Sequence, residues 1–445
     1  MRSLGLFSVC ALLVFGCTPK KEVNGIEFGE IDPTHYVAVG STMSSGYSDD
    51  ALHYDGQYNN FGNIIYRQMA KGGAVVFETP YVANGSVGVN WQNESKLYLN
   101  YKTDCNGVNS LSPIRLAQSG DASILTEHIY NGPYGNMCIP GLHFNELYTW
   151  DYGNPAMGAG NYNPFFARMA SDQANTDVRT DVFLSQPTLM TIMLGDEEIM
   201  DYAVSGGTSG LIPPAWGDWG VGLSGSLDEL MLIASPTSWN TKGAIATVPN
   251  VLSAPYFTTI PYNGLNLTTD DAVTMNQVFN PLGISFVEGE NPFLVEDSTT
   301  PFNVRKLEEG ELILLSIPLD SMKCYGLGSI VPIPDQYVLS LDEISTIEDA
   351  IDEYNNVITT KAVEYDFAIA DVKRLFEDIE GEIVYNGITM NAEFVSGGFY
   401  SLDGRNLNPM GHAMLANVFI AALNAKYNAK IPWADVTQFR GVAFP

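Results

Sequence analysis

Short apolar runs alternate along this chain with stretches whose apolar residues recur at helical spacing. The runs at 35–40 (HYVAVG), 188–194 (TLMTIML), 244–248 (AIATV), 311–317 and 366–370 have the length and bias of strands buried on both faces. Between them, Phe61, Ile64, Ile65 and Met69 mark one face of a helix over 59–71. The clearest helix signal is at 341–360, where Ser340 and Glu343 form a capping box ahead of Ile344, Ile347, Ile351, Tyr354 and Ile358. Asp371 caps a short helix. Asn408-Pro409, a cap followed by proline at the first helical position, starts a final helix with Met410, Met414, Val418, Phe419 and Ala422 turned inward. Strands alternating with helices predict an α/β domain with a parallel sheet. Residues 73–165 and 204–226, rich in Gly, Asn, Tyr, Pro and Trp, read as long connections. There is no internal repeat.

Composition narrows the possibilities. With 45% hydrophobic and 11% aromatic residues over 445 positions, the chain has ample material for a core and is not a disordered segment. It carries 21 Lys+Arg against 51 Asp+Glu, a net charge of −30. So few cations make nucleic acid an unsuitable partner, and the acidity itself implies only solubility and repulsion from anionic surfaces.

The N-terminus reads as an address. Met1-Arg2 precedes the apolar run Leu4 to Phe15, which is too short to span a bilayer and fits a secretory signal. Val14-Phe15-Gly16-Cys17 resembles the lipobox of bacterial lipoproteins. That resemblance implies a signal peptide over 1–16, acylation of Cys17, a tether over 17–32 and, with Thr18 next, residence at the outer membrane, on its periplasmic or cell-surface face. No other stretch is long and apolar enough to cross a membrane. Of the remaining cysteines, Cys105 and Cys138 share one Gly/Asn-rich region, so a disulfide between them and free buried thiols are equal expectations; Cys324 stands apart.

Four segments resemble the conserved blocks of the SGNH/GDSL hydrolases. Val37-Ala38-Val39-Gly40-Ser41-Thr42-Met43-Ser44-Ser45-Gly46-Tyr47 is similar to the first block, Ile139-Pro140-Gly141 to the second and Leu194-Gly195-Asp196-Glu197 to the third. Leu402-Asp403-Gly404-Arg405-Asn406-Leu407-Asn408-Pro409 is similar to the fifth. Their order and the sequence between them resemble the large lipoprotein branch of that family. The resemblance implies a three-layer α/β/α, flavodoxin-like fold over residues 33–445. Insertions at about 73–180 and 205–340 would cover the C-terminal edge of the sheet.

The resemblance also assigns places in the family's site. Thr42 falls at the nucleophile, Gly141 and Glu197 at oxyanion donors, Asn406 at the general base and Asp403 at the residue that orients the base. Three of these differ from the chemistry required. The threonine methyl crowds attack, a carboxamide takes no proton near neutral pH, and a carboxylate sits where negative charge would develop. The expectation is a cleft without a group able to deprotonate Thr42. His143, which follows the Gly141 loop, is the best substitute base, whereas His412 inside the terminal helix should face away; packing or surface roles are the simpler reading for all five histidines. Asp196, Glu197, Glu198 and Asp201 raise two alternatives, hard-oxygen ligation of Ca²⁺ or Mg²⁺ and paired-carboxylate glycoside chemistry; neither displaces the expectation that no metal or cofactor is needed. Tyr98, Tyr101, Trp150, Tyr152, Trp216 and Trp219 are expected mainly to pack the long loops, with glycan or partner contact as the alternative.

The resulting expectation is a catalytically inactive SGNH-like lipoprotein, retained as a binding or structural subunit beside an outer-membrane β-barrel or another lipoprotein. The alternative is an active hydrolase of acyl or carbohydrate esters that uses Thr42 with a non-standard base.

Overall fold

In the computed structural model, which describes residues 25–234 and 240–445, the apolar runs become neighbours in one sheet. The signal peptide, Cys17 and the first part of the tether lie outside the described residues. The sheet strands are β1 (Tyr36–Gly40), β2 (Asn136–Cys138), β3 (Leu189–Met193), β4 (Lys242–Ala246) and β5 (Ala368–Ala370). All pair in parallel, in the spatial order β5-β4-β3-β1-β2. The register aligns Met137, Val39, Ile192, Ile245 and Ile369 in one row across the sheet. The adjacent row is Asn136, Ala38, Thr191, Ala244 and Ala368. Adjacent rows point to opposite faces, so one face is bulky and the other has small side chains.

The small-residue face admits a helix at close range. In α1 (Phe61–Met69), a Cβ built on Gly62 would lie 3.0 Å from the Ala38 methyl. Phe61 stacks on Phe419 of α6 (Pro409–Tyr427), with ring centroids 4.9 Å apart. A second group of helices packs together around the sheet: α2 (Asp196–Val204), α3 (Leu223–Met231) and the long α4 (Leu341–Glu364). α5 (Val372–Glu380) follows β5 and is capped by the Asp371 side chain, which accepts from the Arg374 N–H. The expected caps at Ser340 and Asn408 are both formed, the first as a reciprocal box with Glu343. Ser340→Ala should therefore cost about 1 kcal/mol, read as a lower urea midpoint at unchanged slope.

Several expected boundaries shift. The region expected as an insertion over 73–180 contains sheet strand β2 and an antiparallel hairpin, Leu97–Thr103 with Asn109–Arg115. That over 205–340 contains α3 and β4. Its remainder forms small antiparallel pairs around two satellite cores, one holding Met275, Phe279 and Leu294 and the other Phe293, Val295, Ile313 and Ile333. The strand expected over 311–317 shrinks to Leu312–Ile313, which pairs with Val338–Leu339 outside the central sheet. The β5 strand starts two residues late because Asp366 takes a left-handed backbone, φ 58°.

The cysteine pairing also needs correction. Cys105 bonds Cys324, and Cys138 is a free buried thiol. Cys138 sits inside the sheet opposite Gly40, whereas Cys105 lies in the exposed turn of the hairpin, out of its reach. Among the described residues no helix is long and apolar enough to cross a membrane.

Candidate functional site

Three chain segments leave the C-terminal ends of β1, β2 and β3 and converge. β1 ends at Gly40, where any Cβ would collide with Ser44 Oγ at 2.1 Å and the Met193 carbonyl at 2.9 Å. The chain then turns through a single helical turn, Thr42–Ser45, stopped by left-handed Gly46 at φ 85°. β3 ends in Gly195, φ 98°, and the first residues of α2 are Asp196, Glu197 and Glu198. A helix N-terminus favours acids, yet here all three are buried. Gly141, φ 72°, follows β2 with the Trp91 ring laid where its Cβ would be.

The hydrogen bonds join these ends. Thr42 donates its hydroxyl to Glu197 Oε1 at 2.7 Å and its backbone N–H to Oε2 of the same carboxylate at 3.0 Å. The Gly141 N–H donates to Thr42 Oγ1 at 2.8 Å. Ser41 Oγ donates to Asp196 Oδ2 at 2.8 Å, while Asp196 Oδ1 has no partner. The Phe144 N–H donates to Glu198 Oε1 at 2.6 Å, leaving Oε2 unpartnered. The three acids thus turn to three different partners, and among the described residues no group of His, Cys, Asp and Glu is arranged to hold a metal ion.

Across the cleft, Asp403 accepts from the N–H groups of Asp50, Arg405 and Asn406, and from Asn406 Nδ2 at 3.1 Å. Asn406 and Thr42 line the same small cleft of about 90 Å³, with Trp91, Glu197 and Arg405. Of the five residues expected from the sequence, Thr42, Glu197 and Asn406 therefore line this cavity, while Gly141 and Asp403 stand behind it, bonded to Thr42 and Asn406.

Burial displaces the acids strongly. Asp196 is pushed up to about 6 and Glu198 to about 8, each chiefly by loss of water around the carboxylate. Glu197 rises to about 7, from burial first and then from the charges of Asp201 and Asp196.

No protein-family model matches the chain, and no curated protein matches it. What the site can do must be read from its atoms.

The histidines are occupied elsewhere. His143 holds Glu146 through Nδ1 at 3.1 Å and Asp201 through Nε2 at 3.0 Å. Burial opposes its charge, but these two carboxylates outweigh burial and raise it to about 11, so it is a fixed cation. His412 is fully buried, neither ring nitrogen has a partner, and burial lowers it to about 3. His53 is tied to Ser48 and the Gly56 N–H, His35 to the Ser185 carbonyl, and His128 to the Ala170 carbonyl.

The expectation of a cleft with no acceptor beside Thr42 meets one exception in the geometry. The Glu197 carboxylate accepts from its hydroxyl directly. Sequence reading placed Glu197 at an oxyanion position, but its bond to a hydroxyl 155 residues earlier depends on how two strand ends meet. Ser41, Trp91 and Arg405 were also missed; a serine beside a nucleophile position and an arginine inside the Asp403–Asn406 motif were the available signals. Of the loop aromatics, Tyr152 is buried, with its hydroxyl donating to the Gly141 carbonyl and Glu146. Trp150, Trp216 and Trp219 remain more than half or about half exposed, at 57%, 50% and 61%.

Proposed function

We propose that this chain is an outer-membrane lipoprotein whose domain is of the three-layer SGNH/GDSL type, with its hydrolytic cleft closed to chemistry and its surface used for binding or assembly. The strand order supports the fold reading: numbered along the sheet it runs 2-1-3-4-5, the doubly wound order, with the cleft at the switch between β1 and β3. Helices of both groups pack against the sheet, as a three-layer arrangement requires. The Cys105–Cys324 pairing supports an oxidising compartment. Lipid attachment at Cys17 would concentrate the domain in the membrane plane beside a β-barrel or lipoprotein partner.

One observation carries the inactive reading. Glu197 accepts both the N–H and the hydroxyl of Thr42, and Thr42 Oγ1 takes the Gly141 N–H. The donors that would cradle an oxyanion are thus spent inside the protein, and an acid fills the space. Removing one such donor costs about 10²–10³ in rate; here all are engaged, and Asn406 cannot relay a proton.

The same 2.7 Å bond favours a second reading, in which Glu197, with its raised affinity for protons, is the non-standard base for Thr42. Turnover of p-nitrophenyl acetate decides between them. The expected result is no difference between the wild type and Thr42→Ala. Thr42-dependent turnover that also disappears in Glu197→Gln would establish the hydrolase reading instead. For assembly, extraction in mild detergent followed by affinity purification should recover a stoichiometric outer-membrane protein; recovery of a lone monomer would count against it.

A further inference from the structure

We infer that the groove beside Arg405 is a binding site for a carboxylate carried on an apolar body. The inference rests on the reading of this face as a binding surface, and it adds the chemistry of what is bound.

Among the described arginines, Arg405 stands alone. Arg67, Arg115, Arg168, Arg179, Arg305, Arg374 and Arg440 each reach a carbonyl or carboxylate oxygen within 3.5 Å. The Arg405 side chain has no hydrogen bond, and its nearest carboxylate oxygen, on Asp50, is 3.9 Å away. The two acids beside it balance its charge, Asp50 through Oδ1, but neither comes within hydrogen-bond distance of the guanidinium. Asp403 is filled by three backbone N–H groups and Asn406 Nδ2, while Asp50 takes Arg115 at 2.7 Å and Asn90 at 3.2 Å. The Arg405 charge is countered, but its N–H donors meet no acceptor within 3.5 Å and so remain available to one from outside. It is not lost in solvent, since its side chain is only 26% exposed and lies over the Tyr256 ring, 5.7 Å from its centroid.

The space beside it suits a particular ligand. Arg405 lines a groove of about 430 Å³, within the range of small-molecule sites. Leu97 and Pro113 of the hairpin line it together with Leu315 and Leu319, and Tyr256 and Phe394 add aromatic surface. Asp50, Arg115 and Asp403 share its rim with Arg405. A planar fork of N–H donors matches a carboxylate in two parallel bonds. With Asp50 and Asp403 also lining the groove, a monoanion suits it better than a dianionic phosphate, whose second charge would face those acids. The apolar walls then call for an aliphatic or aromatic body.

The groove is held in shape. Its walls are separate in sequence, yet the Cys105–Cys324 disulfide joins the hairpin turn to the helix Leu319–Cys324. Lys102–Asp320 at 3.3 Å and Lys323–Asp104 at 3.4 Å tie the same two segments. A cleft with fixed walls binds without an ordering penalty.

Calorimetric titration of the full chain in mild detergent, referenced to detergent alone, tests the inference with three probes: 4-phenylbutyrate, 4-phenylbutan-1-ol and 4-phenylbutylamine. The acid should bind once per chain, about tenfold or more tighter than the alcohol, since a charged hydrogen bond contributes that much; the amine should bind weakest. Arg405→Gln should bring the acid to the level of the alcohol, and Arg405→Lys should recover only part of the loss because the fork is gone. Leu319→Gln, at a position 44% exposed and hence tolerant of change, should weaken acid and alcohol alike. It decides the matter if Arg405→Gln melts early. Equal binding of acid and alcohol, no saturable binding of any probe, or unchanged acid binding in a natively melting Arg405→Gln would each overturn the inference. None of these readouts depends on ester turnover, so a failure here leaves the reading of the Thr42 cleft to its own assay.

Discussion

Installing Thr42→Ser, Glu197→Asn and Asn406→His together should turn on ester cleavage, by about 10²–10⁴ over the wild type. Each change answers one obstacle seen in the cleft. The Asp403 carboxylate already accepts from the side chain at position 406 at 3.1 Å, so an imidazole there would be oriented at once. An asparagine at 197 releases the Thr42 N–H and supplies an amide donor where a carboxylate now sits. Serine removes the methyl that restricts attack. Single changes should give little, because such groups act as a unit. Turnover of p-nitrophenyl acetate, compared with the same variant set carrying Thr42→Ala instead of serine, is the measurement. A natively folded triple variant without gain would sink the assignment of these positions to a hydrolase-type site.

Stability should peak near pH 5 and fall on both sides. Asp196, Glu197 and Glu198 hold protons to about 6, 7 and 8 in the fold, whereas free carboxylates lose them near pH 4. At these three carboxyls the native state therefore binds more protons than the unfolded chain between about pH 4 and 8, and their contribution to stability drops as pH rises through that window. His143, raised to about 11 from an ordinary value near 6.5, extends the decline on the alkaline side. On the acid side, His53 and His412 are lowered to about 3 by burial, so the unfolded chain binds more protons below pH 6.5 and stability is lost as pH falls. Urea midpoints from pH 4 to 9 would show the dome. Glu198→Gln should flatten the alkaline limb by up to about 5 kcal/mol at pH 8.5. A wild-type midpoint that rises steadily from pH 5 to 8 would refute this account.

The sheet was largely legible because β1 and β3 are buried on both faces and so lack polar interruptions. The caps at Ser340, Asp371 and Asn408 were legible because a short polar side chain, followed by the right partner or proline, has few other uses. β2 was not, since three residues, Asn136–Cys138, carry too little pattern to separate from a loop. The hairpin over 97–115 was hidden by its exposure: with few buried positions it shows no alternation of apolar and polar residues. In the site, the resemblance to the hydrolase blocks picked out Thr42, Glu197 and Asn406, which line one cleft, and Gly141 and Asp403, which bond to two of them. It could not show that Glu197 would turn onto Thr42, because the direction of a side chain at a helix start is settled by the strand end it meets. Arg405 escaped for a related reason: that its donors are left over follows only from counting the partners of every acid around it.

The bridge between Cys105 and Cys324 spans a separation of 219 residues, and β2, β3 and β4 all lie between its ends. Oxidation to the native pair must then wait until most of the chain has been delivered, and during that wait the thiol of Cys138 is a nearer mate for Cys105. Once the sheet closes over it, Cys138 is pushed up to about 12 by burial and ceases to be an effective nucleophile. Formation of the sheet thus withdraws Cys138 from thiol exchange and leaves Cys105 and Cys324 to each other.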